Sequence, residues 1–435
     1  MQQLDVFNQG LIHFLQASPT PAHAVEVMRR QLQEAGFQEL QEDQDWSLEP
    51  GQGYLVIRGG KSIVAWRQGL QEPQETGVRM LGAHTDSPCL KVKPKAEIFR
   101  NGCLQLGVEV YGGALLHPWF DRDLSLAGQV HYLDAQGQIQ EALFDAREPL
   151  AIIPSLAIHL NREANKGVEA NPQKHLPVIL GQLNVSQNPL FAFRQWLASC
   201  LEAEGRQVTE VVDYDLSFYD VQPPAYVGLN KEYLASARLD NLLSCYVGME
   251  ALIACDQTQD ATSLLICNDH EEVGSASALG AEGPFLESVL RRLTSGNEAS
   301  YQKLISRSLM ISCDNAHALH PNFADRHDEN HGPKINAGPV IKINANQRYA
   351  TSSETSALFD AWCRQAQVPC QRFVVRTDMG CGSTIGPLTS TRLGVRVVDV
   401  GVPQWAMHSI RETVGSQDPW YLARALVAFI QAARV

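Results

Sequence analysis

Basic residues are the minority here: 35 lysines and arginines stand against 48 acids in 435 residues, a formal net charge of −13. A nucleic-acid or anionic-membrane surface needs a basic stripe, so this balance argues against both partners. No uninterrupted apolar stretch approaches the roughly 20 residues of a membrane span. The opening MQQLDVFNQGLIHFLQ lacks a basic n-region, an apolar h-region and a small-residue cleavage site, so no signal peptide is expected. Ten cysteines are present but none forms a CxxC pair, and Cys245, Cys255 and Cys267 sit inside apolar runs. Free buried thiols in a reducing cytoplasm are therefore expected, rather than disulfides or a thiolate zinc site. Internal repeats and low-complexity tracts are also lacking. What is there, 44% hydrophobic and 19% charged residues, is the composition of a soluble globular protein too long for one ordinary core. Two domains are the starting expectation.

Residues 3–16 read as a short amphipathic helix, and Pro21 opens another in which Val25, Met28, Leu32 and Ala35 recur at helical spacing before Gly36. Strand-like runs at 53–58 and 62–67 flank Gly59-Gly60, and 78–81 forms a further strand ending in GAHTDSP. From about residue 92 the texture becomes short, alternating and punctuated by glycine, as in an antiparallel domain, with one helical segment around 189–204. After SARLDN the α/β texture returns: strand-like runs at 263–267, 309–313, 371–376 and 394–400 alternate with helical ones at 240–255 and 419–433. The chain thus reads as an α/β domain, 1–91 plus 233–435, interrupted by an inserted β-rich domain, 92–232.

The centre of the chain is LICNDHEEVG, where an apolar run ends abruptly in Asp269, His270, Glu271 and Glu272. In open α/β sheets chemistry gathers at the carboxyl ends of strands. Adjacent side chains of an extended segment point apart, so one glutamate can bind a metal while the other takes a proton from water. Further acids and imidazoles also follow apolar runs: His84 with Asp86, Asp240, Asp314 and His408. Nitrogen and carboxylate donors without thiolate suit zinc, manganese or cobalt in an open catalytic site. His84 and Asp86, two apart on an extended segment, point to one side, which lets the aspartate orient the imidazole. Taken singly each has a blander explanation; Asp240, for instance, could simply cap the helix behind it. Together they are the inventory of a two-metal hydrolase in which one carboxylate bridges ions roughly 3.5–4 Å apart. The glycine-rich MGCGSTIG (379–386) lacks the GK[ST] ending of a P-loop and the GxGxxG spacing of a dinucleotide turn, and reads as close backbone approach to substrate or metal. The histidine-rich HPNFADRHDENH (320–331) reads as a polar loop.

Nine ordered segments, GAHTDSPCLKVKP, WFDRDLSLAG, IPSLAIHLNR, SARLDN, NDHEEVGS, DNAHALHPN, NANQRYATSSE, TDMGCGSTIGP and VGVPQWAMHSIRE, closely resemble the aspartyl aminopeptidase family of zinc metallopeptidases. They run in the family's order from His84 to Glu412. This resemblance implies that His84, Asp314 and a bridging Asp240 hold one zinc, and that Glu272, His408 and the same Asp240 hold a second. It also implies Glu271 as general base toward the attacking water and then acid toward the leaving amine, with Asp86 orienting His84. His317, Lys342 and Tyr349 are implied as substrate-pocket residues, and His159 of the inserted domain as a residue that reaches a neighbouring subunit's active site.

The expectation is a cytoplasmic aminopeptidase with two Zn2+ per chain, or Co2+ or Mn2+ in their place, removing single N-terminal residues from peptides, preferably Asp or Glu. The catalytic part should be an α/β/α metallopeptidase domain with a mixed sheet, and the inserted domain should build oligomer contacts and narrow access. The resemblance implies a homo-oligomer, a tetrahedral dodecamer. The same chemistry with a neutral or basic first-residue preference, or a dizinc deacylase or amidohydrolase, are the alternatives.

Overall fold

The computed structural model describes residues 2–167, 169–182 and 192–435, and divides into two compact units. The first comprises Met1–Asp86, Pro224–Met407 and Glu412–Val435. It is built on a nine-stranded mixed sheet whose order is Phe37–Glu39, Gly53–Arg58, Ser62–Arg67, Thr262–Asn268, Val78–His84, Leu309–Cys313, Arg396–Gly401, Val340–Ile343 and Gln371–Val374. Its middle four strands, from Thr262–Asn268 to Arg396–Gly401, run parallel. Parallel strands covered on both faces need apolar residues at successive positions, and every residue of Val78–His84 is buried.

Alternate residues feed two cores. Leu81, Ala83, Leu265, Ile311 and Val398 pack with residues of helices Gln2–Ala17, Pro21–Glu34, Leu239–Ile253, Ser353–Gln365 and Asp418–Ile430. Met80, Leu264, Ile266, Met310 and Val397 pack with residues of helices Phe285–Leu293, Glu298–Arg307 and Ile385–Leu393. Helices on both faces of a mixed sheet make this unit an α/β/α sandwich. A smaller five-stranded sheet, Ala225–Val227, Tyr233–Ser236, Glu412–Gly415, Pro403–Trp405 and Ala316–His317, belongs to the same unit. Its strands of two to four residues are too short to leave a period in the sequence.

The second unit, Ser87–Pro223 with His408–Arg411, carries a six-stranded antiparallel sheet. Its order is Ile139–Asp145, Leu124–Leu133, Glu210–Asp220, Cys89–Arg100, Cys103–Tyr111 and Val178–Gln182. Asn101 and Gly102, both with positive φ, close the hairpin in which Arg100 pairs with Cys103, the Asn-Gly signature of a two-residue turn. Helix Phe193–Ala203 contributes Phe193, Leu197 and Leu201 to the same core as Leu216 and Phe218. The helical segment expected around 189–204 lies partly outside the described residues. All ten cysteines are free. Among the described residues no helix is long and apolar enough to cross a membrane.

Candidate metal centre

The parallel strands deliver their polar residues at one end. Val78–His84 ends in His84, and the chain continues to Asp86, both buried. The neighbouring strand ends at Asn268, whose carbonyl accepts from the Thr85 amide at 2.7 Å. Glu271 and Glu272 then sit in a 3-10 turn, Glu271–Val273, between His270 and Gly274 of positive φ. The expected extended geometry, with the two glutamates pointing apart, is therefore not what forms. Asp86 is the reason: its Oδ1 accepts the Glu271 amide at 3.1 Å and its Oδ2 accepts the Glu272 amide at 3.0 Å. One carboxylate thus curls the turn so that both glutamates offer oxygens within 4.8 Å of a His84 nitrogen. The same aspartate engages His84, with Nδ1 3.0 Å from the Asp86 carbonyl and 3.4 Å from its Oδ1.

Asp240 is not a helix cap. Arg238 holds that position, in the left-handed region, and Asp240 follows with non-helical dihedral angles inside Leu239–Ile253. Three contacts fix this start: Glu412 Oε2 accepts the Asp240 amide at 2.9 Å, Asn241 donates to the Cys313 carbonyl at 2.8 Å, and Asn315 donates to the Leu239 carbonyl at 3.0 Å. Asp314 leaves strand Leu309–Cys313 with its amide on the Val400 carbonyl at 2.9 Å. Gly401 permits this, because a Cβ there would lie 1.9 Å from the Asp314 oxygen.

His84 Nε2 lies 3.5 Å from Asp240 Oδ1 and 3.7 Å from Asp314 Oδ1. Ligand atoms of His84, Asp240 and Asp314 all fall within 4.8 Å of one another, as do those of His84, Glu271 and Glu272. His408 Nδ1 is 3.1 Å from the Gly113 carbonyl, which leaves Nε2 as its donor. Within the first unit two candidate metal-binding clusters therefore meet at His84.

The donors fit a dizinc centre. Two unit charges 4 Å apart cost about 4 kcal/mol at an effective dielectric constant near 20, so gathered carboxylates repel strongly unless cations join them. The Lys342 ammonium, 3.0 Å from Asp314 Oδ2, offsets part of this charge. Burial works against a charged His84, yet Asp240, Asp314 and Asp86 outweigh it and hold the imidazole well above its usual range. Burial likewise pushes the Glu271 carboxyl up to about 7; His84 opposes this, while Asp314, Asp240 and Asp86 reinforce it. Dications among these groups act in the opposite direction on both, because they favour the carboxylate and compete with the proton for the imidazole.

Beside the clusters, the His317 ring packs against Phe373 with centroids 5.8 Å apart, and Tyr349 lies 6.5 Å from the same ring. Lys342 Nζ is 5.1 Å from the Tyr349 centroid and also donates to the Asn315 carbonyl at 3.2 Å. His159 occupies an exposed turn of the second unit, with Leu156, Ile158 and Leu160 exposed around it. In the glycine-rich stretch the tight protein contact is at its end. A Cβ at Gly380 or Gly382 would meet no protein atom within 4 Å, whereas one at Gly386 would lie 2.3 Å from an Asp399 oxygen. In the 320–331 loop His331 Nδ1 meets Asp328 at 2.6 Å and His320 accepts the Asn322 amide at 3.2 Å; no metal group among the described residues includes these histidines. Sequence reasoning missed Glu412 and Asp399, each a lone acid in or beside a short strand. The one signal available was a single acid within a short strand-like run.

The profile of the Aminopeptidase I zinc metalloprotease (M18) family matches residues 14–430. A "Probable M18 family aminopeptidase 2" of Stutzerimonas stutzeri (strain A1501) is 57% identical over 432 residues, which is 99% of each chain. A similar protein of Pseudomonas putida (strain GB-1), of the same description, is 56% identical over 98% of this chain and 99% of its own. Among solved structures, the cryo-EM structure of an Ape4 and Nbr1 complex superposes with a TM-score of 0.95 at 36% identity, covering 99% of this chain and 86% of that one. The S. cerevesiae mApe1 dodecamer gives a TM-score of 0.87 at 29% identity, covering 100% and 98%. The chain belongs to the M18 (aspartyl aminopeptidase) family of dizinc metallopeptidases. Its chemistry is hydrolysis of the N-terminal peptide bond at a dizinc centre.

Proposed function

We propose that the chain removes single N-terminal Asp or Glu residues from peptides, with His84, Asp240 and Asp314 holding one zinc and Asp240, Glu272 and His408 the other. The gathering of these donors around His84 and Asp240 carries the reading. Bound zinc supplies Lewis acidity, polarising the scissile carbonyl and making water a stronger acid.

The protein's own groups do the rest. Glu271 takes the proton of the attacking water and passes it to the leaving amine, a task suited to a carboxyl buried among other acids. Asp86 holds the His84 ring from Nδ1 and, through the two amides, sets where Glu271 and Glu272 point. Lys342, shared with Asp314, and Tyr349 and His317, gathered around Phe373, line the pocket for the first side chain. The Lys342 charge favours a substrate carboxylate there. Exposed Leu156, Ile158 and Leu160 support a subunit contact at the inserted domain (92–232), where His159 would reach a neighbouring active site. The catalytic domain is taken as 1–91 plus 233–435. The mApe1 dodecamer supports a homo-oligomer of that kind, and the scattered free thiols support a cytoplasmic setting.

The test is a kcat/KM panel on zinc-loaded enzyme with peptides that begin in Asp, Glu, Leu or Lys, each free and N-acetylated. Asp and Glu should lead, and acetylation should abolish cleavage. A lead for Leu or Lys would overturn the specificity, and cleavage of the acetylated peptides would overturn the aminopeptidase reading in favour of a deacylase.

A further inference from the structure

Asp399 is one of several buried acids that belong to neither metal cluster. It is fully buried on strand Arg396–Gly401, where an acid has no solvation to stabilise its charge. Ser312 pairs with it in the parallel register on one side. On the other side Ile341 pairs antiparallel with Val400, so one step further Lys342 faces Asp399. Burial pushes the Asp399 carboxyl up, and the Lys342 ammonium pulls the other way. Lys342 therefore bonds Asp314 in the metal cluster and feels the charge of Asp399 from the neighbouring strand.

The two carboxylate oxygens of Asp399 do separate work. Oδ1 accepts the Thr384 hydroxyl at 2.6 Å, at the end of the glycine-rich stretch. Oδ2 accepts the Ala350 amide at 2.6 Å, one residue after Tyr349. The Asp399 amide in turn donates to the Thr351 hydroxyl at 2.9 Å. Gly386 leaves room for the carboxylate, since any Cβ would collide with it. The two segments are also tied to each other, by Ser383 on the Arg348 carbonyl at 3.1 Å and Arg348 on the Cys381 carbonyl at 3.3 Å.

We propose that Asp399 is a positioning residue for the substrate pocket: its carboxylate anchors the Tyr349 segment and the 379–386 loop to the sheet and places a second negative charge near Lys342. The proposal rests on the reading of Lys342 and Tyr349 as pocket residues. A neutral amide has one acceptor oxygen, so Asp399→Asn replaces two charge-assisted bonds by one neutral acceptor bond. At best its NH2 adds a reversed contact, donating to the Thr384 hydroxyl, and a negative charge near Lys342 is lost. Losing a hydrogen bond to a charged group costs roughly ten- to a hundred-fold.

The experiment combines hydrogen exchange of segments 346–352 and 379–387, zinc content, and kcat and KM on a peptide beginning in Asp, all on the full chain. In Asp399→Asn the exchange of both segments should accelerate and KM should rise about ten-fold or more, with kcat falling less and zinc unchanged. Thr384→Val, which removes one hydroxyl and no charge, should move exchange of the 379–387 segment and KM in the same direction by less. Unchanged exchange and KM would overturn the proposal, as would a loss of zinc with KM intact. Should Asp399→Asn fail to fold, Thr384→Val decides alone. A wild-type enzyme without aminopeptidase activity would sink the reading of the site instead, while exchange would still report whether Asp399 anchors the segments.

Discussion

Strand Val78–His84 carries a buried charged group near each end, and the two could hardly be handled more differently. Arg79, 1% exposed, donates to the carbonyls of Thr76 at 2.7 Å and of Ala432 and Ala433 at 3.0 Å each. All three partners are neutral oxygens, and two of them, on Ala432 and Ala433, lie just past helix Asp418–Ile430, where the helix dipole is negative, so a cation is at home. His84, at the other end, is surrounded by Asp86, Asp240 and Asp314 within 4 Å, with Glu271 and Glu272 beside them. The amino end solves a packing problem with matched polarity. The carboxyl end accumulates more acids than Lys342 and His84 can balance, an excess that folding alone would select against and bound dications would stabilise.

That contrast makes graded predictions. Glu271→Gln should lower kcat by about 10²–10⁴-fold, the usual contribution of a positioned general base, while both zinc ions stay bound. Undiminished turnover in steady-state assays would remove Glu271 from the chemistry. Asp86→Ala should cost about 10–100-fold in zinc affinity or activity, because the Glu271 and Glu272 amides and the His84 ring lose one shared acceptor. Zinc titration against a competing chelator reads this directly. At the other end Arg79→Leu should lose about 1–3 kcal/mol of stability by stranding three carbonyls, with kcat and KM of the folded enzyme unchanged. A denaturant melt together with kinetics would separate the two ends of the strand; a catalytic defect in Arg79→Leu would erase the distinction.

The sheet and its strand-end residues were legible because parallel strands buried on both faces write continuous apolar runs, and their ends are where His84, Glu271 and Asp314 stand out. What was hidden depends on contacts between distant segments. The adjacent glutamates were read as extended, and only the grip of Asp86 on their amides makes a tight turn of them. Lys342 stood out as a lone cation in AGPVIKIN, but its bond to Asp314 joins strands 28 residues apart. Asp399 and Glu412 passed unread because a single acid in a short strand has no pattern to break. The small sheet of Ala225–Val227 and its neighbours was missed for the same reason, since strands this brief carry no period.

In the proposed centre Asp240 joins two zinc sites while Glu271 holds none. Zinc counted per chain by mass spectrometry in the wild type, Asp240→Asn and Glu271→Gln tests it most directly. The account predicts two ions in the wild type and in Glu271→Gln, and fewer than two in Asp240→Asn. Two ions retained in Asp240→Asn, or ions lost from Glu271→Gln, would contradict it.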